Sequence, residues 1–147
     1  MQHKLLHNGG GQRTFAVVLN SGDEVLKSLQ SFVKDRQIRA AQFTAIGALS
    51  DVVLKYFDWE TKDYREIKVA EQVEVASLIG DVATAPSGAP ALHAHLVVGK
   101  RDGTAMAGHL GQAHVRPTLE VVLTESPAHL HKVIDQETGL ALIRMED

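Results

Sequence analysis

The stretch LHAHLVVGKRDGTAMAGHL, residues 92–110, decides how the chain folds. Leu92 to Val98 is a short, mostly apolar run with a β-branched end, the composition of a strand. Thr104 to Leu110 is a second such run. Between them stands Lys100-Arg101-Asp102-Gly103, whose Asp-Gly pair is a hairpin turn signal. The two runs are therefore predicted to pair antiparallel. Within the first strand His93 and His95 stand at i and i+2, so their rings project from one face with Cβ atoms roughly 6–7 Å apart. The predicted partner strand carries His109. Neighbours on the shared face of such a hairpin come within roughly 4.5–7 Å of each other.

The rest of the chain extends this pattern. Thr14 to Leu19 reads as a strand. Ser21 followed by Glu24 has the form of a capping box. Val25, Leu29 and Phe32 then recur at helical spacing, flanked by Leu26 and Val33, so a helix is predicted to about Arg36. Its other face holds Lys27, Gln30, Lys34 and Asp35. Ala41 to Ile46 and Val52 to Trp59 flank Gly47-Ala48. Tyr64 to Val69 follows the turn-like Glu60 to Asp63. Val73 to Ala83 is a long strand in which Gly80 suggests a bulge or bend. Thr118 to Thr124 reads as a buried strand, and Leu130 to Ile134 and Leu140 to Arg144 bracket the turn Asp135 to Gly139. One helix and about seven or eight strands make an α+β fold, a curled antiparallel sheet packed against the one main helix. Residues 1–12 are expected to form a flexible lead and residues 13–147 a single domain.

Composition narrows the function. At 147 residues and 16.0 kDa the chain has room for one sizeable core. Cysteine is absent, which excludes disulfide scaffolds, cysteine zinc sites, iron–sulfur clusters and thiol catalysis. The 15 Lys and Arg against 18 Asp and Glu leave a formal charge of −3, unlike a strongly basic nucleic-acid binder. No run approaches the roughly 20 apolar residues that cross a bilayer, and the first residues lack the apolar core of a secretory segment. No membrane partner and a cytoplasmic location are the expectation. There is no Gly-X-Ser-X-Gly elbow, phosphate loop or dinucleotide fingerprint.

Eight histidines are many for this length. A His-X-His pair with a third His on the adjacent strand offers three nitrogens and an open position, a set zinc accepts readily. Imidazole also suits copper, nickel or iron. The same histidines could instead line a half-buried face and bond to main-chain carbonyls. Glu120 is a carboxylate in the apolar run Thr118 to Leu123. It reads as a fourth metal ligand, as a general base on a metal-bound water, as a partner that orients a ligand ring, or as a plain surface or salt-bridging residue paired to Arg116 or Lys132. His129-Leu130-His131 repeats the i, i+2 pattern in a polar stretch after Pro127, where exposed histidines are ordinary.

Five segments in order, Phe43 to Ala48 (FTAIGA), Leu92 to His95 (LHAH), Gly108 to Gly111 (GHLG), Thr118 to Leu123 (TLEVVL) and Glu137 to Leu140 (ETGL), resemble the plants-and-prokaryotes conserved (PPC) domain in its bacterial stand-alone form. The resemblance spans about Phe15 to Ile143. It implies an α+β domain assembled as a homotrimer, and a metal, zinc first, on His93, His95 and His109. It also carries the family label "putative DNA-binding", because plant members attach Arg-Gly-Arg-Pro arms that enter the minor groove. This sequence has no Arg-Gly-Arg-Pro; its nearest match is His114 to Pro117 (HVRP). DNA affinity rests largely on neutralising phosphates, and a trimer of about −9 runs against that. A metal-binding PPC protein is expected first. A DNA-associated protein or an oligomeric scaffold with a structural metal is the alternative.

Overall fold

In the computed structural model, which describes residues 1–145, one sheet takes in every strand. The elements are β1 (Gln2–Gly9), β2 (Gln12–Asn20), α1 (Val25–Asp35), β3 (Ala41–Asp58), β4 (Asp63–Val69), β5 (Val73–Thr84), β6 (Pro90–Gly99), β7 (Ala105–Glu125), β8 (His131–Ile134) and β9 (Ala141–Arg144). The strand path is β1-β2-β7-β3-β5-β8-β9, with β4 on β3 and β6 joining β5 to β7. Strands β3 and β7 are 18 and 21 residues long, and each changes partners along its length. The first half of β3 lies between β5 and β7, while its second half runs beside β4 and the start of β7. Register shifts around Gly47 and Leu49 let the long pair bend, and β6 then closes the curl.

Alternation along the strands builds the core. Leu119, Val121 and Leu123 of β7 point inward beside Phe15, Val17 and Leu19 of β2. The apolar stripe of α1, Val25, Leu29, Phe32 and Val33, covers this face, and Phe32 meets Phe15 edge to face with centroids 5.3 Å apart. Burying a side chain of this size contributes about 1.5–3 kcal/mol, so the stripe anchors the helix.

Several expectations are corrected. Residues 2–9 are not a loose lead but strand β1, paired with β2 from Gln2–Val18 to Gly9–Gln12. Seven consecutive residues of β2 pair with β7 on its other side, so β1 completes the backbone hydrogen bonding of an otherwise open edge. Gly47-Ala48 does not end a strand; β3 runs through it. The sheet is mixed rather than wholly antiparallel, because β8 meets β5 in parallel at Thr84–His131, where the Thr84 amide donates to the Leu130 carbonyl at 2.8 Å. The helix N-cap is Glu24, not Ser21. The Glu24 carboxylate accepts from the amides of Lys27 at 2.7 Å and Leu26 at 3.4 Å, satisfying two of the free donors every helix start exposes.

Gly80 is not a bulge. It pairs in regular register with Phe43 on one side and Ala94 on the other. Its missing side chain leaves room for the Phe43 ring, and an added Cβ would also come within 2.5 Å of the His93 carbonyl oxygen. The glycine thus lets the aromatic ring pack directly against the strand next to the one that carries the histidines.

Candidate metal centre

Strand β6 alternates cleanly. Ala94, Leu96 and Val98 are buried, whereas His93, His95 and Val97 face outward. The hairpin to β7 is tied at its turn by Lys100 donating to the Thr104 carbonyl at 2.8 Å, with Gly103 at φ 83°, a conformation glycine takes without steric cost. This turn sets His95 directly opposite His109. His93 is directly opposite Asp81 of β5. Outward-facing positions therefore bring three rings and a carboxylate from three strands to one place.

The three ring centroids stand 5.0, 5.1 and 5.2 Å apart, and one ligand nitrogen from each ring lies within 4.8 Å of the others. The Nε2 atoms of His93 and His95 are 3.2 Å apart. That separation suits an N–H···N hydrogen bond between neutral rings. It also matches the edge of a tetrahedron, about 3.3 Å for zinc–nitrogen bonds of 2.0–2.1 Å. The Nδ1 of His109 is buried without a hydrogen-bond partner, and a buried polar atom left so is costly. Geometry and donor chemistry both fit a divalent transition metal.

The electrostatics favour the neutral form of His95 and His109. Burial pushes the His109 imidazole down to about 4, helped by the charges of His93 and His95. Burial also lowers His95, with His93 adding to the effect. Neutral imidazole is the form that binds metal. Asp81 approaches His93 Nδ1 at 3.3 Å through Oδ2, and its Oδ1 lies 3.3 Å from the Nζ of Lys132. Burial works against its charge, but the His93 hydrogen bond and the Lys132 ammonium hold its carboxyl below the usual range. A carboxylate on Nδ1 leaves Nε2 free to face a metal, the usual way a ligating histidine is oriented.

Asp81 and Lys132 were not picked out as site residues from the sequence. Asp81 carries one signal, a carboxylate beside Gly80 within the apolar run Leu78 to Ala83. Lys132 carried none. Glu120 lies elsewhere. It is exposed on β7, eleven positions beyond His109, between Val18 of β2 and Ile46 of β3. Its flanking residues Leu119 and Val121 face the opposite side of the sheet, so within the chain Glu120 does not reach the cluster. Neither suggested partner holds it: among the described residues Lys132 pairs with Asp81. His129 lies between β7 and β8, and His131 begins β8; both are exposed and outside the cluster.

The family model for the Plants and Prokaryotes Conserved (PCC) domain matches residues 6–127. The chain belongs to this family. A PCC-type fold is shared with solved structures across its length. A metal-containing protein from Archaeoglobus fulgidus is 32% identical, with 90% of this chain and 93% of that one covered and a TM-score of 0.82. A plant- and prokaryote-conserved protein from Pyrococcus horikoshii is 28% identical, with 99% and 96% covered and a TM-score of 0.84. A protein from Bacteroides thetaiotaomicron described as a "putative DNA binding protein" is 26% identical, with 97% and 96% covered and a TM-score of 0.84. None of the curated proteins matches the chain. No helix among the described residues is long and apolar enough to cross a membrane.

Proposed function

We propose that this PCC-domain protein is a metal-binding protein whose His93, His95 and His109 hold a single zinc ion with one position left open. The observation that carries the reading is the convergence of three imidazoles from two paired strands, with Asp81 behind one of them. A bound zinc would act as a Lewis acid toward an oxygen in its open position. The chain's own part is to bury His95 and His109 so that their neutral forms are favoured, to fix the tautomer of His93 through Asp81, and to keep a cleft above the cluster. Elemental analysis of tag-free protein tests the reading. About one zinc per chain is expected, and a wild-type preparation that neither retains nor takes up a divalent metal would overturn it.

The same reading includes a homotrimer. The outward sheet face beside the cluster exposes Ile46, Ile79, Val97 and Val122, of which Ile46 is 62% exposed. Ile79 stands directly opposite His95, so this apolar surface is continuous with the histidine row. A patch of that kind is best covered by another protein surface. A solution mass near 48 kDa, three times 16.0 kDa, is expected. A monomer by light scattering would end this part of the proposal.

DNA association is the second reading, favoured by the description of the Bacteroides relative. The formal charge of −3 works against it. Gel shifts at low and physiological salt separate the two, and duplex binding that persists at physiological salt would favour DNA.

A further inference from the structure

Above the histidine cluster lies an open cleft of about 840 Å³, a size suited to a small molecule. Its floor is His93, His95 and His109. One wall is Lys55 and Tyr64, and the other is the C-terminal hairpin with Lys132 and Leu142. The charges are sharply segregated. The chain has more acidic than basic residues, yet no carboxylate among the described residues lines this cleft, while two lysines do.

Both lysines are placed by the fold. Lys55 is directly opposite His109, so it stands in the same cross-sheet row as His109 and His95. Lys132 is buried, its side chain only 7% exposed, and among the described residues the single acid that reaches it is Asp81. That acid also serves His93, so its one negative charge is already shared between a ring and an ammonium. Three imidazoles bring no negative charge either. Lys55 has an acid of its own, the half-exposed Glu66 at 4.0 Å outside the cleft lining, but a dication held by the rings, with Lys55 and Lys132 beside it, would still leave a positive excess in a partly desolvated cleft. An anionic ligand removes that excess. The remaining lining, including Phe57, Leu92 and Leu142, is aromatic or aliphatic, which suits a ligand with an apolar body rather than a bare inorganic ion.

We infer that the cleft receives a small organic carboxylate, its carboxylate group placed between the metal position and the two lysines and its short apolar body against Tyr64 and Leu142. This rests on the three-histidine centre proposed above, and it adds the chemical class of the ligand.

The test uses the tag-free full chain loaded with cobalt(II), whose visible absorption reports coordination. The probes are 4-methylpentanoate and its uncharged isostere 4-methylpentanamide. Loading should produce the intense bands of a four-coordinate centre. The carboxylate should then shift those bands saturably, and the amide should not. At equal cobalt occupancy, Lys55→Met should bind the carboxylate about tenfold more weakly, the loss of one charge-assisted contact. Lys132→Met should do the same, with its thermal melt confirming the fold; Lys55, being partly exposed, provides the test should that variant not fold. A protein that takes up no cobalt removes the centre and the inference together. Cobalt bands that the carboxylate leaves unmoved, or that the amide moves equally, overturn the inference and leave the centre standing. Unchanged carboxylate affinity in Lys55→Met also overturns it.

Discussion

His93-Ala94-His95 and His129-Leu130-His131 are the same sequence pattern with opposite outcomes. The first lies inside a strand paired on both sides, where the pleat and the neighbouring His109 bring a third ring within reach. The second straddles the start of the four-residue strand β8 and stays exposed. Two imidazoles at i and i+2 therefore mean little alone. What makes a candidate ligand set of them is a strand held by two partners, one of which supplies another nitrogen. The inward side makes the same point. Ala94 and Leu96 are buried beneath the first pair, and Gly80 makes room for Phe43 there.

The comparison can be broken most directly by mutating each pair. His95→Ala should weaken zinc binding by more than about a hundredfold, beyond the loss typical of an orienting partner. His131→Ala should leave it unchanged. Competition with a chromophoric chelator measures both, and equal losses would show that the two pairs do not differ in the way argued.

Asp81 gives a smaller effect and sharpens the contrast, since it is the feature that only the first pair has. Asp81→Asn should lower zinc affinity by about ten- to a hundredfold. The ¹⁵N shifts of the His93 ring should report a changed tautomer balance. A merely structural role would alter the melting temperature and leave those shifts in place.

The smallest effect belongs to a further histidine, His114, which has an acid but, among the described residues, no other ring beside it. Its Nδ1 lies 2.8 Å from Asp51 Oδ1. The His114 hydrogen bond holds the Asp51 carboxyl below its ordinary value, against some burial and with help from Ser50. A depressed carboxyl stabilises the fold above its unfolded pKa of about 3.9 and loses that contribution as pH falls through the lower folded value. Both side chains are more than a third exposed, so screening keeps the contribution below about 1 kcal/mol. Asp51→Asn should thus melt almost as wild type at pH 7, and the small difference should vanish in strong acid. A loss of zinc in this variant would contradict the assignment of His114 outside the centre.

Much of this was legible in the residues. The helix stripe, the 92–110 hairpin and the Asp135 to Gly139 turn follow from local periodicity and turn chemistry, which act within a few positions. The three histidines were legible because a tight hairpin converts sequence distance into a known cross-strand register. Glu120 misled because a single apolar run does not reveal which face of a strand is solvated. In β7 the alternate residue Val122 is itself 49% exposed, so the run disguises an outward face. Strand β1 was missed because polar, glycine-flanked residues become a strand only when β2 offers them an edge.

Local chemistry alone specified one helix, the strand-rich pattern and a row of imidazoles on a hairpin, since these depend on φ/ψ preference, side-chain period and turn type. Only the tertiary structure decided that Asp81 stands behind His93, that Lys132 closes over it, and that Lys55 joins the histidine row. Those contacts span twelve to more than fifty positions of chain. They depend on how a long sheet curls and on where its last hairpin docks, and no short-range preference encodes either.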